Sequence, residues 1–107
     1  MKFATIYTLH SDWLGHFYFS GDDGAVKLAR ECLEKGLYTK HNPIALCDWE
    51  TGEAAAEEMF DLTNNPGRQP ERLVKYGRHR SISVGDIVEA GGKMYACRPC
   101  GWQEFTA

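Results

Sequence analysis

No run of apolar residues in this chain approaches the roughly 20 that a membrane helix needs, so contact with a membrane is not expected. Met1 to Tyr7 lacks the long apolar core of a secretory signal. A cytoplasmic protein is therefore expected. Its four cysteines, Cys32, Cys47, Cys97 and Cys100, are then expected to be reduced thiols and not a disulfide framework. No set of acid, base and nucleophile is visible. His10-Ser11-Asp12 has hydrolase residue types, but triad partners converge in space, and no nucleophile elbow is present. Gly21-Asp22-Asp23-Gly24 has neither the Lys-Ser/Thr of a phosphate loop nor the ligand pattern of a calcium loop, and reads as a helix-capping turn. Catalysis is not expected. The chain also lacks internal repeats and low-complexity tracts.

What is present fits one ordinary globular domain spanning residues 1–107, with 25% charged residues. The net charge of −3 hides an asymmetry. Residues 1–66 carry 5 Lys/Arg against 11 Asp/Glu, whereas residues 67–107 carry 7 against 4. The basic excess gathers in Arg68, Arg72, Lys75, Arg78 and Arg80, with His79 among them.

The clearest local signal is near the C-terminus. Ile87-Val88 and Met94 to Cys97 flank Gly91-Gly92, which predicts a β-hairpin. Trp102 to Phe105 is expected to extend its second strand. At the other end, Lys2 to Leu9 alternates polar and apolar residues and is rich in β-formers, so it reads as a strand. Leu14 to Ser20 reads as a second strand, joined to the first by a short connection that makes an antiparallel hairpin the default. Asp22 or Asp23 can cap a helix over about Gly24 to Lys35, where Ala25, Leu28, Ala29 and Cys32 follow helical spacing. Gly36 stands where a left-handed C-cap belongs. Ile44 to Trp49 is a third strand. Thr51-Gly52-Glu53 opens a second helix through about Leu62, which Asn64-Asn65-Pro66-Gly67 ends. Gln69 to Arg80 reads as a surface loop with a short helical turn at Glu71 to Lys75. The order β-β-α-β-α-β-β predicts an α+β fold, an antiparallel sheet with both helices packed on one face and a C-terminal β-hairpin. In an alternative, that hairpin packs separately as a small barrel-like flap.

Cys97-Arg98-Pro99-Cys100 has the spacing of half a zinc site or of a redox pair. The other zinc ligands would come from Cys47, Cys32, His41 or His79, and none of these forms a second close pair. No helix follows the motif to lower a thiol pKa, as a redox pair requires. Reduced structural cysteines are expected, with no metal and no cofactor. Trp13, His16, Phe17, Tyr18 and Phe19 make an aromatic hairpin that can stack on bases, but its surroundings are acidic. Core packing with a protein-contact patch is the favoured reading.

Met59 to Asn65, His79 to Val88 and Cys100-Gly101-Trp102 together resemble a group of small phage- and plasmid-encoded accessory proteins. The resemblance spans roughly residues 54–105 and is sharpest in Arg80-Ser81-Ile82-Ser83-Val84-Gly85-Asp86. In such proteins the positions of Cys97 and Cys100 are often other residues, which weighs further against zinc. The resemblance implies a context and no particular site residues. A small acidic protein of this origin is expected to bind something in the bacterial host cell. The leading expectation is an inhibitor of a host defence complex, of the anti-CRISPR or anti-restriction type, acting by protein–protein contact. Its acidic face would centre on Asp22, Asp23, Glu31, Glu34, Glu53, Glu57 and Glu58. The alternative is a nucleic-acid-binding accessory or regulatory protein using Arg68, Arg72, Lys75, Arg78 and Arg80. A zinc-stabilised module is a third reading. Pairing of two copies is left open, through an exposed edge of Lys2 to Leu9.

Overall fold

A computed structural model describes residues 2–10, 21–46, 49–99 and 101–106. The expected strand at Leu14 to Ser20 and the aromatic hairpin around Trp13 lie outside these residues. The elements are β1 (Lys2–Leu9), α1 (Gly21–Glu34), β2 (Tyr38–Lys40), β3 (Ile44–Leu46), α2 (Gly52–Asn64), a 3₁₀ turn (Pro66–Arg68), α3 (Gln69–Lys75), β4 (Ile87–Ala90), β5 (Lys93–Cys97) and β6 (Trp102–Phe105). All strand pairs are antiparallel. The six strands form one sheet in the order β2-β1-β4-β5-β6, with β3 sharing the β2 side of β1. The fold is α+β, as the sequence pattern predicts.

Both helices were expected on one sheet face, and the packing corrects this. Side chains alternate across a strand. Tyr7, Leu9, Ile87, Met94, Ala96 and Phe105 pack with Ala29 and Cys32 of α1. Their neighbours Ala4, Ile6, Val88, Ala90, Tyr95, Cys97 and Trp102 pack with Ala55, Ala56, Met59 and Leu62 of α2, and with Tyr76 just after α3. The sheet is thus covered by α1 on one side and by α2, with Tyr76 beyond the end of α3, on the other. The physical reason is visible in adjacent apolar pairs such as Ile87-Val88 and Tyr95-Ala96, which cannot be buried from one side alone. From Ala4 onward, β1 is buried on both faces.

Gly91 and Gly92 connect β4 to β5 with φ of +63° and +79°, the paired left-handed geometry of a tight hairpin turn. This hairpin is no separate flap, because β4 pairs with β1 from Ala4↔Ala90 to Tyr7↔Ile87. Trp102 to Phe105 does not extend β5 but turns back beside it, pairing Cys97↔Trp102 to Met94↔Phe105. The edge of β1 suggested for dimer pairing is not exposed, since β1 is paired on both sides. Its outer neighbours β2 and β3 are one edge strand broken at residues 41–43, which stand opposite only Thr5 and Ile6. Asn42-Pro43 supplies the break, because Pro43 has no amide hydrogen for a ladder.

Helix α1 begins at Gly21, so Asp22 and Asp23 lie within its first turn and not at the cap position. Its C-terminus closes through Gly36, whose amide bonds the Leu33 carbonyl while Leu37 bonds that of Cys32. In α2, Thr51 is the N-cap, its Oγ1 accepting from the Ala54 amide at 3.1 Å. The next residue, Gly52, is buried where a Cβ would overlap the Tyr95 ring and hydroxyl. Gly52→Ala is therefore expected to destabilise the fold by about 1–3 kcal/mol. The check is a lower urea midpoint at unchanged m-value.

Candidate functional site

The segment Arg80 to Asp86 lies between α3 and β4. Asp86 is fully buried. Its Oδ1 accepts from the Leu9 amide at 2.8 Å and from Arg80 at 2.8 Å. Its Oδ2 accepts from the Ser83 amide and from Arg80, both at 2.8 Å. Arg80 also donates to the Leu9 carbonyl at 2.8 Å and to the Ser81 carbonyl at 3.1 Å. Leu9 lies two residues past Tyr7, the last residue of β1 that pairs with β4. The Arg80–Asp86 pair thus takes up the amide and carbonyl that a further ladder rung would use. The fork geometry is bidentate, the strong form of this pair.

Neighbouring polar groups hold the same segment. Tyr38 and Tyr76 donate their hydroxyls to the carbonyls of Gly85 and Arg80, at 2.6 and 2.7 Å. Burial pushes the Tyr76 phenol up to about 12, with Asp86 adding to the effect, so it remains a donor. Ser81 Oγ donates to the Thr63 carbonyl at 2.6 Å, and Asn64 Nδ2 to the Ile82 carbonyl at 3.1 Å. Removing the guanidinium leaves a buried carboxylate unpaired. Arg80→Ala is therefore expected to cost about 3–5 kcal/mol, read from chemical unfolding, and Arg80→Lys to recover only part of that loss.

Beside this pair lies a cluster that charge and spacing do not single out. His41 and His79 stand with ring centroids 4.4 Å apart, and Tyr76 meets them edge-on at 5.2 and 5.3 Å. The Thr8 hydroxyl is 2.8 Å from His41 Nε2. Arg72 lies over the Tyr76 ring at 5.6 Å and donates to the His79 carbonyl. Burial lowers the His41 pKa first, and His79 and Arg80 lower it further, against an opposing pull from Asp86. The folded state thus favours neutral His41, whereas the unfolded chain takes up a proton near the usual 6.5. Stability is then complete above that value and is lost as pH falls through it. Urea midpoints measured across this window are expected to fall with acidification, and His41→Gln to flatten the dependence.

The sequence-predicted acidic residues do not form one face. Glu31 and Glu34 are exposed on α1, whereas Glu53, Glu57 and the half-buried Glu58 belong to α2 across the sheet. This corrects the expectation of a single acidic surface. Glu58 is also engaged, accepting two bonds from Arg68 at 2.8 Å.

The basic residues are largely engaged inside the molecule. Arg68 bonds Glu58, Asp61 and Glu71. Lys75 pairs with Glu71 at 2.9 Å. Hydrogen bonds from Arg68, then from Lys75, pull the Glu71 carboxyl down to about 2. Arg72 serves the His79 carbonyl, and Arg80 serves Asp86. Arg78 is exposed and makes no side-chain hydrogen bond or ion pair among the described residues.

Cys97 is buried, and that burial pushes its thiol up to about 12, with Asp86 contributing, which keeps it protonated and a poor nucleophile. Cys100 lies outside the described residues. Cys32 lies on the other side of the sheet from Cys97. Among the described residues, no three or more His, Cys, Asp or Glu side chains are grouped to hold a metal ion. A groove of about 270 Å³, lined by Glu57, Phe60, Cys97, Arg98 and Trp102 among others, opens between α2 and β6. Phe60 is 40% exposed there and meets Trp102 edge-on at 6.4 Å. No family model matches the chain, and no curated protein or solved structure is significantly similar to it.

Proposed function

We propose that this protein is a small binding protein that blocks a bacterial defence complex by protein–protein contact, in the cytoplasm of the host cell and without catalysis. One observation carries the reading, the internal use of Arg68, Arg72, Lys75 and Arg80, which leaves Arg78 alone of the segment's cations exposed and unpaired among the described residues. Arg68, Lys75 and Arg80 are paired with carboxylates. Arg72 is bound to a backbone carbonyl. Glu31, Glu34, Glu53 and Glu57 are exposed on helices, the first two beside exposed Lys27 and Arg30 on α1. A complex that handles nucleic acid presents Lys/Arg-lined grooves, and surface carboxylates compete with phosphates for such a groove. Complementary charge steers that encounter and makes it sensitive to salt. The resemblance of the Arg80 to Asp86 region to phage- and plasmid-encoded proteins supports the same context.

Because the two pairs of glutamates lie on opposite sides of the sheet, the reading assigns the contact to one of them. Tagged protein is expected to retain a single host complex from nuclease-treated lysate, less of it as salt rises. Either Glu31→Lys/Glu34→Lys or Glu53→Lys/Glu57→Lys is expected to weaken capture by about tenfold or more, the other pair changing it little. Partners that vanish with nuclease, or capture indifferent to both reversals, overturn the proposal. Nucleic acid recovered by the wild type and lost in Arg78→Ala would favour the nucleic-acid reading. Arg80→Ala is unsuited to that comparison, because it removes the partner of buried Asp86.

A further inference from the structure

We propose that His41, His79 and Arg72 form a binding site for the phosphate group of a small phosphate monoester. Asp86 and Arg80 neutralise each other, and both carboxylate oxygens of Asp86 are fully engaged. Glu71, beside Arg72 in the chain, is bound by Arg68 and Lys75. Arg72 has no carboxylate partner among the described residues; it bonds a carbonyl and lies over an aromatic ring. Its Nε is buried and has no hydrogen-bond acceptor. An uncompensated guanidinium thus stands on the same side chain, Tyr76, that both imidazoles touch.

The two imidazoles complete the arrangement. With the rings 4.4 Å apart, a proton on His41 is opposed by burial, His79 and Arg80, against the pull of Asp86. An anion at the edges of both rings offsets that opposition. Thr8 occupies His41 Nε2, which leaves Nδ1 as the ring's other donor in the imidazolium form. His79 is exposed, so the site is open on that side. A phosphate monoester near neutral pH carries between one and two negative charges and three acceptor oxygens. Two imidazolium N–H groups and a guanidinium match that number of acceptors. A carboxylate offers fewer acceptors and a single charge, and a backbone diester also carries one charge. The titratable and charged groups around the site are Arg72 and Tyr76 at α3, His79, Arg80 and Asp86 on the following segment, and Lys40 next to His41 at the end of β2.

The test uses the ¹⁵N-labelled full chain, with the imidazole signals of its four histidines followed against inorganic phosphate and, separately, acetate. The proposal expects saturable phosphate shifts confined to His41 and His79. It expects affinity to rise about tenfold between about pH 8 and about pH 6, because binding takes up a proton. It also expects His79→Gln and Arg72→Gln each to weaken binding about tenfold, with an unchanged urea midpoint for His79→Gln showing that the fold is intact. Shifts no larger at His41 and His79 than at His10 and His16, an equal response to acetate, or unchanged binding in folded His79→Gln overturns it.

Discussion

The fold depends on how the polar end of β1 is closed. Leu9 is buried, and its amide and carbonyl run past the last rung that β4 supplies. Buried backbone groups without partners cost free energy comparable to a lost hydrogen bond. Asp86 and Arg80 complete that rung with side chains. In doing so they fix the path of residues 80–86, set where β4 begins and place Tyr76 and His79 against His41. A buried ion pair is weak grounds for stability by itself. Here its value lies in specificity, because only one course of the segment satisfies the carboxylate, the guanidinium and Leu9 together.

Covering the sheet from both sides has a second effect, on the surface. In a chain this small, a two-sided core leaves little room for one large exposed face of uniform character. The outward carboxylates are divided between α1 and α2. Arg68 ties α3 to α2, and Arg80 holds the approach to β4, while Arg78 stays exposed. The protein's net negative charge is thus expressed on helices, while its basic segment serves mainly as internal mortar.

Much of the architecture is legible residue by residue. Gly91-Gly92 gives the hairpin, Gly36 the end of α1, Thr51 the start of α2, and the alternation of Lys2 to Leu9 gives β1. The short strand Tyr38 to Lys40 is not legible. Three residues carry no periodicity, and it is a strand only because β1 lies beside it. The placement of the helices could have been read from Ile87-Val88 and Tyr95-Ala96, whose adjacent apolar side chains demand cover on both faces. The site is less legible for a different reason. Counting charges along Arg68 to Arg80 identifies a basic segment, but the partners that neutralise it, Glu58, Asp61 and Asp86, are set by folding. Gly85-Asp86 reads locally as a turn, and nothing nearby in sequence marks Leu9 as its partner. His41 and His79 are 38 positions apart and meet only because β2 and the end of α3 converge on β1.

The break at residues 41–43 carries a consequence for association between molecules. A sheet that grows without limit by adding strands needs two receptive edges on every copy. Here one edge is out of phase with itself, with three residues spanning a gap of two, and Pro43 offers no donor where an incoming chain would look for one. Among the described residues the other edge of the sheet is β6. Strand addition through these two edges therefore favours pairs, and growth through both requires that the edge at β2 and β3 first unfold.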